Sequence, residues 1–507
     1  MKDGERLLRK LGQLGSDQVY FRVHSLFVSG DGTPGLKWGS TNAYTEDKDG
    51  NPIYDWNIVD RILSTGLERG VKPYLQLGFM PEVLSISPDC VPYKHSWTPH
   101  AKYGDIFTGW AYPPKDYVKW GNLVYELTKH CVEKYGRAEV ENWYWEVWNE
   151  ANIGYWHGTT NEFLKLHDYA IDGVRRALPT ARVGGMDSAG QGAGYTKAFL
   201  EHCLRGTNYA TGKVGTPLDF VSFHAKGNPS LYDNHVRMGI NSQLRDINNA
   251  LRNYSTYPEL KGKPIVIGES DPDSCAGCDS DVTRNARYGY RNSTLFSSYP
   301  AESFAREYDI AARNDANLEG AVTWAFEFEG QPFFEGFRTL ASNGLDKPVL
   351  NVFRMFSLMS GDRLTTESDH AVSLDEMIGT GVRGAADVSA LASLDQRKLC
   401  VMVWHYHDDD VTGPDADIEV TLDGLPLANG NPKLEHFRID ADHSNSYVAW
   451  KKMGSPKSPT PEQYAQLEKA GQLASLGDPT TITVSDYRVV VHLTLPRQGV
   501  SLLKFTW

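Results

Sequence analysis

The chain lacks what a membrane protein or a nucleic-acid binder needs. The ~18 consecutive apolar residues of a membrane-spanning helix occur nowhere in its 507 residues. Basic residues are in deficit: 51 Lys and Arg against 64 Asp and Glu leave a net charge of −13. A nucleic-acid binder carries a basic face, so that class is excluded. An anionic membrane surface and a strongly acidic polymer are disfavoured as partners for the same reason. Cysteine is scarce: Cys90, Cys131, Cys203, Cys275, Cys278 and Cys400 are scattered and do not read as a disulfide framework. The opening MKDGERLLRKLGQLGSDQ has no apolar h-region, so no signal peptide is read there. A cytoplasmic protein and a secreted one with its leader removed both stay open. Two sequons, Asn253-Tyr-Ser and Asn292-Ser-Thr, are about what chance supplies, and no internal repeat or low-complexity tract is present.

Aromatic residues, by contrast, are plentiful: 13 Trp, 26 Tyr and 19 Phe make up 11% of the chain. At ~150 residues per domain the length suggests two or three domains, large enough to bury a core without staples. Apolar residues at 40% and charged residues at 23% are ordinary for a globular enzyme.

Up to about residue 360, short apolar runs alternate with helical stretches. The runs are Val19 to Ser25, Val71 to Phe79, Glu141 to Glu150, Ala181 to Asp187, Leu218 to His224, Lys263 to Ser270 and Gly320 to Phe328. A short eighth strand is expected between Gly35 and Tyr54. Trp56 to Arg69, Asp116 to Tyr135 and Glu162 to Leu178 carry apolar residues at helical spacing, the last preceded by a capping-box pair, Thr159 and Glu162. Eight strands alternating with helices predict an α/β fold, a (β/α)8 TIM barrel over residues 1–360. From residue 361 to 507 the pattern becomes period-two, in KLCVMVWHY, DIEVTLDGL, KLEHFRID, YRVVVHLTL and GVSLLKFTW. Punctuated by Gly, Pro and Asp, this predicts an antiparallel β-sandwich, with one short helix over Glu462 to Leu476.

In a barrel, chemistry sits at the C-terminal ends of the strands. WYWEVWNEAN delivers Asn149-Glu150 to such an end, beside Trp145, Trp148 and Trp156. A carboxylate walled by indoles is partly desolvated, and desolvation favours the protonated acid that a proton donor must be. A solvated strand-end glutamate beside core tryptophans would carry the same residues. KPIVIGES delivers a second carboxylate, Glu269. Counted as strands four and seven, the two ends face each other across the mouth. Paired carboxylates are the equipment of glycoside hydrolysis: ~5–5.5 Å apart they work with retention, ~6.5–9.5 Å apart with inversion. Sequence does not measure that gap.

At these residues the chain resembles glycoside hydrolase family 39 of clan A, which includes β-xylosidases and α-L-iduronidases. FRVHSLF (Phe21 to Phe27), the stretch Tyr54 to Ser85 with its GFMP ending, and the sandwich segment His436 to Gln463 resemble the family as well, so the likeness covers essentially the whole chain. It implies Glu150 as acid/base, Glu269 as nucleophile and Asn149 as the ligand of the sugar 2-hydroxyl. It further implies His24, His224 and Glu329 as hydroxyl ligands and Trp324 as a pocket wall; Trp148 is taken with the substrate-binding set. Two departures stand out. WNEPN is WNEAN here, and the nucleophile sits in GESDPDSCAGC rather than a TEW- or TEF-type context. Glu327 competes with Glu329 for one role.

The resemblance implies a retaining exo-glycosidase needing no cofactor or metal, acting on a β-D-xyloside at the non-reducing end of an oligosaccharide. Another glycone, an arabinoside or arabinobioside or an α-L-iduronide, is the alternative. A uronide would need a basic ligand, for which Arg22 and Arg284 are candidates. A non-catalytic sugar-binding relative is a further alternative, disfavoured because both carboxylates are present. Cys275-Ala-Gly-Cys278 reads as a local disulfide or thiol pair, since no second ligand pair for zinc follows. HYHDDD (His405 to Asp410) reads as a solvated turn. The aromatic stretch from Pro81 to Asp116, with Tyr93, His95, Trp97, His100, Tyr103, Phe107, Trp110 and Tyr112, reads as a loop over the barrel mouth. Oligomeric state is not legible.

Overall fold

The computed structural model describes residues 3–15, 18–35, 37–87, 92–93, 106–278, 285–426 and 428–507. Seven parallel strands form one curled sheet in chain order: β1 (Tyr20–Val23), β2 (Lys72–Leu77), β3 (Tyr144–Val147), β4 (Arg182–Ser188), β5 (Phe220–Lys226), β6 (Ile265–Asp271) and β7 (Leu318–Ala321). The helices between them form as the apolar spacing requires. Asn57–Leu67 buries Val59, Ile62 and Leu63. Tyr117–Tyr135 starts where the Asp116 side chain accepts from the Val118 and Lys119 amides. Thr160–Ala177 starts at the capping box of Thr159 and Glu162, which satisfies two orphan amides reciprocally.

Among the described residues the expected eighth strand is absent from this sheet. Within Gly35 to Tyr54, Tyr44–Glu46 and Pro52–Tyr54 pair only with each other, antiparallel. Asp47 ties the turn between them by accepting from the Asp49 and Asn51 amides, so the segment satisfies its own backbone locally. The parallel sheet is therefore a half-barrel with β1 and β7 as its edges. Helix α1 (Asp3–Gly12) and the loops after β1 and β7 line a cleft through Leu7, Leu11, Pro34, Trp38, Trp324 and Phe326.

The C-terminal part is antiparallel, as its period-two pattern requires. One sheet is built on Asp387–Asp395, Lys398–Tyr406, Val500–Thr506 and Lys433–Ile439; Ala416–Leu422 and Val489–Leu495 pair separately. A cluster including Val401, Leu434, Leu495 and Phe505 is buried there. The other face, with Met402, Trp404, Tyr406 and Leu502, is continuous with the core of the parallel sheet and its helices. The helix expected over Glu462 to Leu476 ends earlier, at Pro461–Ala470.

HYHDDD is not a solvated turn. His405, His407, Asp408 and Asp409 are buried. Arg237 grips Asp409 through Nε at 2.6 Å and Nη2 at 2.8 Å, and the Ile240 amide donates to Asp408. Its charges are spent joining the antiparallel sheet to the segment after β5. Cys275 and Cys278 form a disulfide, while Cys131, Cys203 and Cys400 are free and buried. Of the aromatic stretch, Tyr93 (as a side chain), His95, Trp97, His100 and Tyr103 lie outside the described residues, as do Cys90 and Arg284. Trp110 packs against Trp38, Phe79 and Tyr155.

Candidate active site

Glu150 and Glu269 reach one place by two local distortions. After β3, Trp148 and Glu150 adopt left-handed backbone with φ 70° and 46°. Each such residue costs ~1–2 kcal/mol and is held by its neighbours: the Trp148 amide donates to the Leu77 carbonyl at 3.0 Å, the Glu150 amide to the Asp187 carbonyl at 2.9 Å. In β6 the register against β5 slips between Ile267 and Glu269, so that Glu269 stands opposite His224. A bulge re-aims a side chain in this way. Gly268 permits it, since a Cβ there would collide with the Asp187 carboxylate.

His224 bridges the pair. Its Nδ1 is 2.8 Å from Glu150 Oε1 and 3.8 Å from Glu269 Oε2, and its Nε2 is 3.5 Å from Asp187 Oδ2. Burial opposes its charge, but Glu269 and Asp187 outweigh that and raise its pKa. One atom from each of Glu150, His224 and Glu269 lies within 4.8 Å of the others. That spacing would also suit a cation. Glu269, however, is already matched by cations: Lys226 Nζ at 2.6 Å, Arg22 Nη1 at 3.2 Å and Lys37 Nζ at 4.0 Å. Three positive groups around one carboxylate oppose a metal ion there. Burial alone would favour the neutral acid, but Lys226, His224, Lys37 and Arg22 hold the Glu269 carboxyl well below the usual carboxylate range.

Arg22 fixes the floor. Its guanidinium meets Glu146 at 2.5 Å, Asp187 at 2.9 Å and Asn149 Oδ1 at 3.2 Å as well as Glu269. At 3% exposure with its donors so engaged, it has no face left for a uronate. Asn149 is fully buried, and its amide nitrogen has no hydrogen-bond partner among the described residues. His24 lies 3.7 Å from Glu269 and 3.2 Å from Arg22. Burial, reinforced by Lys37 and Arg22, keeps it neutral. Trp324 stands 6.3 Å from the His24 ring, with Lys37 Nζ 4.6 Å above its own ring.

Of the expected set, Trp148 packs behind the site, while Glu329 lines the cleft with Lys37, Trp38 and Trp324. Trp148 is 0% exposed, packed on Phe79 and Trp156, with its indole N–H given to the Tyr155 carbonyl at 2.9 Å. It backs the site rather than lining it. Glu329 accepts from the Gly4 amide at 3.1 Å, because the N-terminal amides of α1 attract an anion. Glu327 is taken by the Gly344 amide at 2.7 Å, and burial pushes its carboxyl up to about 7.

Lys226, Asp187, Asp271 and Lys37 escaped the sequence reading. The first three had a signal. Asp187 closes the run from Ala181, Lys226 follows His224 by two and Asp271 follows Glu269 by two, so the last two each continue one strand face. Lys37 lies in an irregular loop, where no periodicity points at it. Burial lowers its pKa to about 8.

Two glutamates joined by a histidine, at the strand ends of a curled parallel sheet followed by antiparallel sheets, form the candidate active site, and a family model identifies the chain as a glycoside hydrolase. Residues 33–481 match the model of glycosyl hydrolases family 39, and the chain belongs to that family. It is 26% identical over 433 residues to a beta-xylosidase of Caldicellulosiruptor saccharolyticus, spanning 84% of this chain and 78% of that protein. It is likewise 26% identical over 385 residues to the alpha-L-iduronidase of Mus musculus, spanning 69% of this chain but 56% of that protein. A monomeric beta-xylosidase from Caulobacter crescentus CB15 shares the fold with a TM-score of 0.74 at 21% identity, covering 100% of this chain and 93% of that one.

Proposed function

We propose that the enzyme is a retaining exo-glycosidase in which Glu269 is the nucleophile and Glu150 the acid/base. The carrying observation is the short reach between them: both carboxylates contact one His224 ring, within the 4.8 Å span, which favours the close-pair geometry of retention. Glu269, kept ionised by its cations, attacks the anomeric carbon while Glu150 protonates the leaving oxygen. Glu150 then takes a proton from the water that releases the sugar. The unpartnered amide of Asn149 suits the sugar 2-hydroxyl. Residues 1–360 carry this chemistry, and residues 361–507 brace them.

The glycone we propose is β-D-xylose, on an oligosaccharide, supported by bacterial beta-xylosidases among the relatives, whose match extends over 84% and 90% of the chain. A uronide is the second reading, favoured by Lys37 and Lys226 beside Glu269, two cations that a neutral pentose does not call for. The test is hydrolysis of an aryl β-D-xyloside followed by proton NMR. First release of β-xylose is expected. First release of α-xylose would make Glu269 a general base, and turnover of an aryl α-L-iduronide alone would move the glycone to the second reading.

A further inference from the structure

From Glu269 a file of alternating charges runs inward. Lys226 Nζ, 2.6 Å from Glu269 Oε2, also pairs with Asp271. Asp271 pairs with Arg338, and Arg338 Nε is 3.2 Å from Asp273 Oδ1. Asp273 takes both ends of Arg291, at 3.0 Å and 3.3 Å, and the Tyr290 hydroxyl. Asp271, Asp273, Arg291 and Arg338 are all buried. The file ends on the loop closed by Cys275 and Cys278: Arg291 donates to the Cys275 and Cys278 carbonyls, and the Arg338 amide donates to the Ala276 carbonyl at 3.0 Å. This is the GESDPDSCAGC stretch that begins at the Glu269 strand end.

We propose that Arg338 is a positioning residue for Glu269, acting through Asp271 and Lys226 and anchored by the Cys275–Cys278 loop. The inference rests on the reading of Glu269 as nucleophile. The physical argument is charge balance in a low dielectric. Lys226 serves two carboxylates, and it can stay on Glu269 only while Asp271 has a second cation. Without Arg338, Asp271 draws the ammonium away, and Glu269 keeps only Arg22, Lys37, His24 and His224 around it, with Glu150 as the opposing charge. Its carboxylate is then less favoured over the acid. Trp324 is tied to the same point, since its amide and the Thr323 hydroxyl donate to Asp271 Oδ1 at 3.0 Å and 2.7 Å. A loosened Asp271 therefore also loosens the pocket wall.

The test is the pH profile of kcat/KM in Arg338→Gln, on whichever aryl β-D-xyloside or α-L-iduronide the enzyme hydrolyses. The acid limb is expected to move up by ~1 unit, about a tenfold loss at a pH on the wild-type limb, with Arg338→Lys recovering most of it. An acid limb in the wild-type position, even with a lowered melting temperature, would mean a merely structural role and overturn the inference. If Arg338→Gln gives no folded protein, the Cys275→Ser/Cys278→Ser enzyme decides: a smaller shift in the same direction is expected, and an unshifted limb overturns. Glu269→Ala separates the two failures. If it keeps turnover, the nucleophile reading falls and this inference falls with it. If it is dead while the limb of Arg338→Gln is unshifted, only the inference falls.

Discussion

Lys226, His224, Lys37 and Arg22 all face Glu269, and their sum outweighs the burial that would otherwise protonate it. A carboxylate so held is slow to protonate, as the proposed nucleophile must be. Glu269→Ala is expected to lower turnover by on the order of 10⁴-fold or more, and azide should restore activity as a glycosyl azide of inverted anomer; turnover at the wild-type level would remove Glu269 from the mechanism. Lys226→Met takes away the nearest cation. The acid limb of kcat/KM should rise by ~1–3 units, and an unmoved limb would assign Lys226 to Asp271 alone. Arg22 shows why residue type is a poor guide to role. It is a basic residue in the pocket, but Glu146, Asp187, Asn149 and Glu269 all use its donors, so it serves the site's own side chains.

At the scale of elements, six strands of the parallel sheet were legible as short apolar runs, three of which lead to Glu150, His224 and Glu269; the seventh, expected over Gly320 to Phe328, lies earlier, at Leu318–Ala321. The distortions that make the site were not. A bulge at Gly268 and left-handed backbone at Trp148 and Glu150 depend on neighbours in space: the Asp187 carboxylate beside β6 and the Leu77 and Asp187 carbonyls beside β3. Gly268→Ala should therefore destabilise the fold by ~1–3 kcal/mol and abolish turnover, read by urea unfolding beside activity. Full turnover would show that the bulge does not aim Glu269. The eighth strand was misread for a related reason. The Gly35 to Tyr54 segment has strand-forming residues, but its own tight turn pairs it with itself. Strand identity is local, whereas partnership is not.

For the molecule as a whole, buried acids with raised pKa set the pH dependence of stability. Burial holds Glu307 up to about 8, Glu327 to about 7 and Asp408 to about 6. Between the unfolded carboxyl range near ~4 and those values the folded state binds more protons than the unfolded one. Their contribution is fully present below the unfolded pKa and is lost as pH rises. Lys347 and Lys37, lowered by burial to about 7 and about 8, act oppositely: stability rises with pH from those values toward the unfolded lysine pKa near ~10. His24, His167, His405, His407 and His436, lowered by burial, oppose the fall below the unfolded histidine pKa near ~6.5, so the melting temperature is expected to fall chiefly above that pH. Glu307 also receives the Ser270 hydroxyl behind β6, a bond its amide can keep. Glu307→Gln should flatten the fall and stabilise the protein at pH 8 by ~1–3 kcal/mol; an unchanged slope would show that Glu307 is ionised in the fold.

The open sheet gives the site a second office. Among the described residues β1 and β7 share no backbone ladder, so no hydrogen-bonded strand joins these two edges directly. What crosses that seam is side chains: Arg22 on Glu269, His24 and Lys37 on Trp324, and the turn of α1 held by Glu329. The cleft is in this sense a clasp, and the charges that keep Glu269 ionised also fasten one edge of the molecule to the other. An enzyme built so cannot be disarmed silently. Glu269→Gln should exchange its β1 amides with solvent faster than the wild type, and a bound sugar should slow them again.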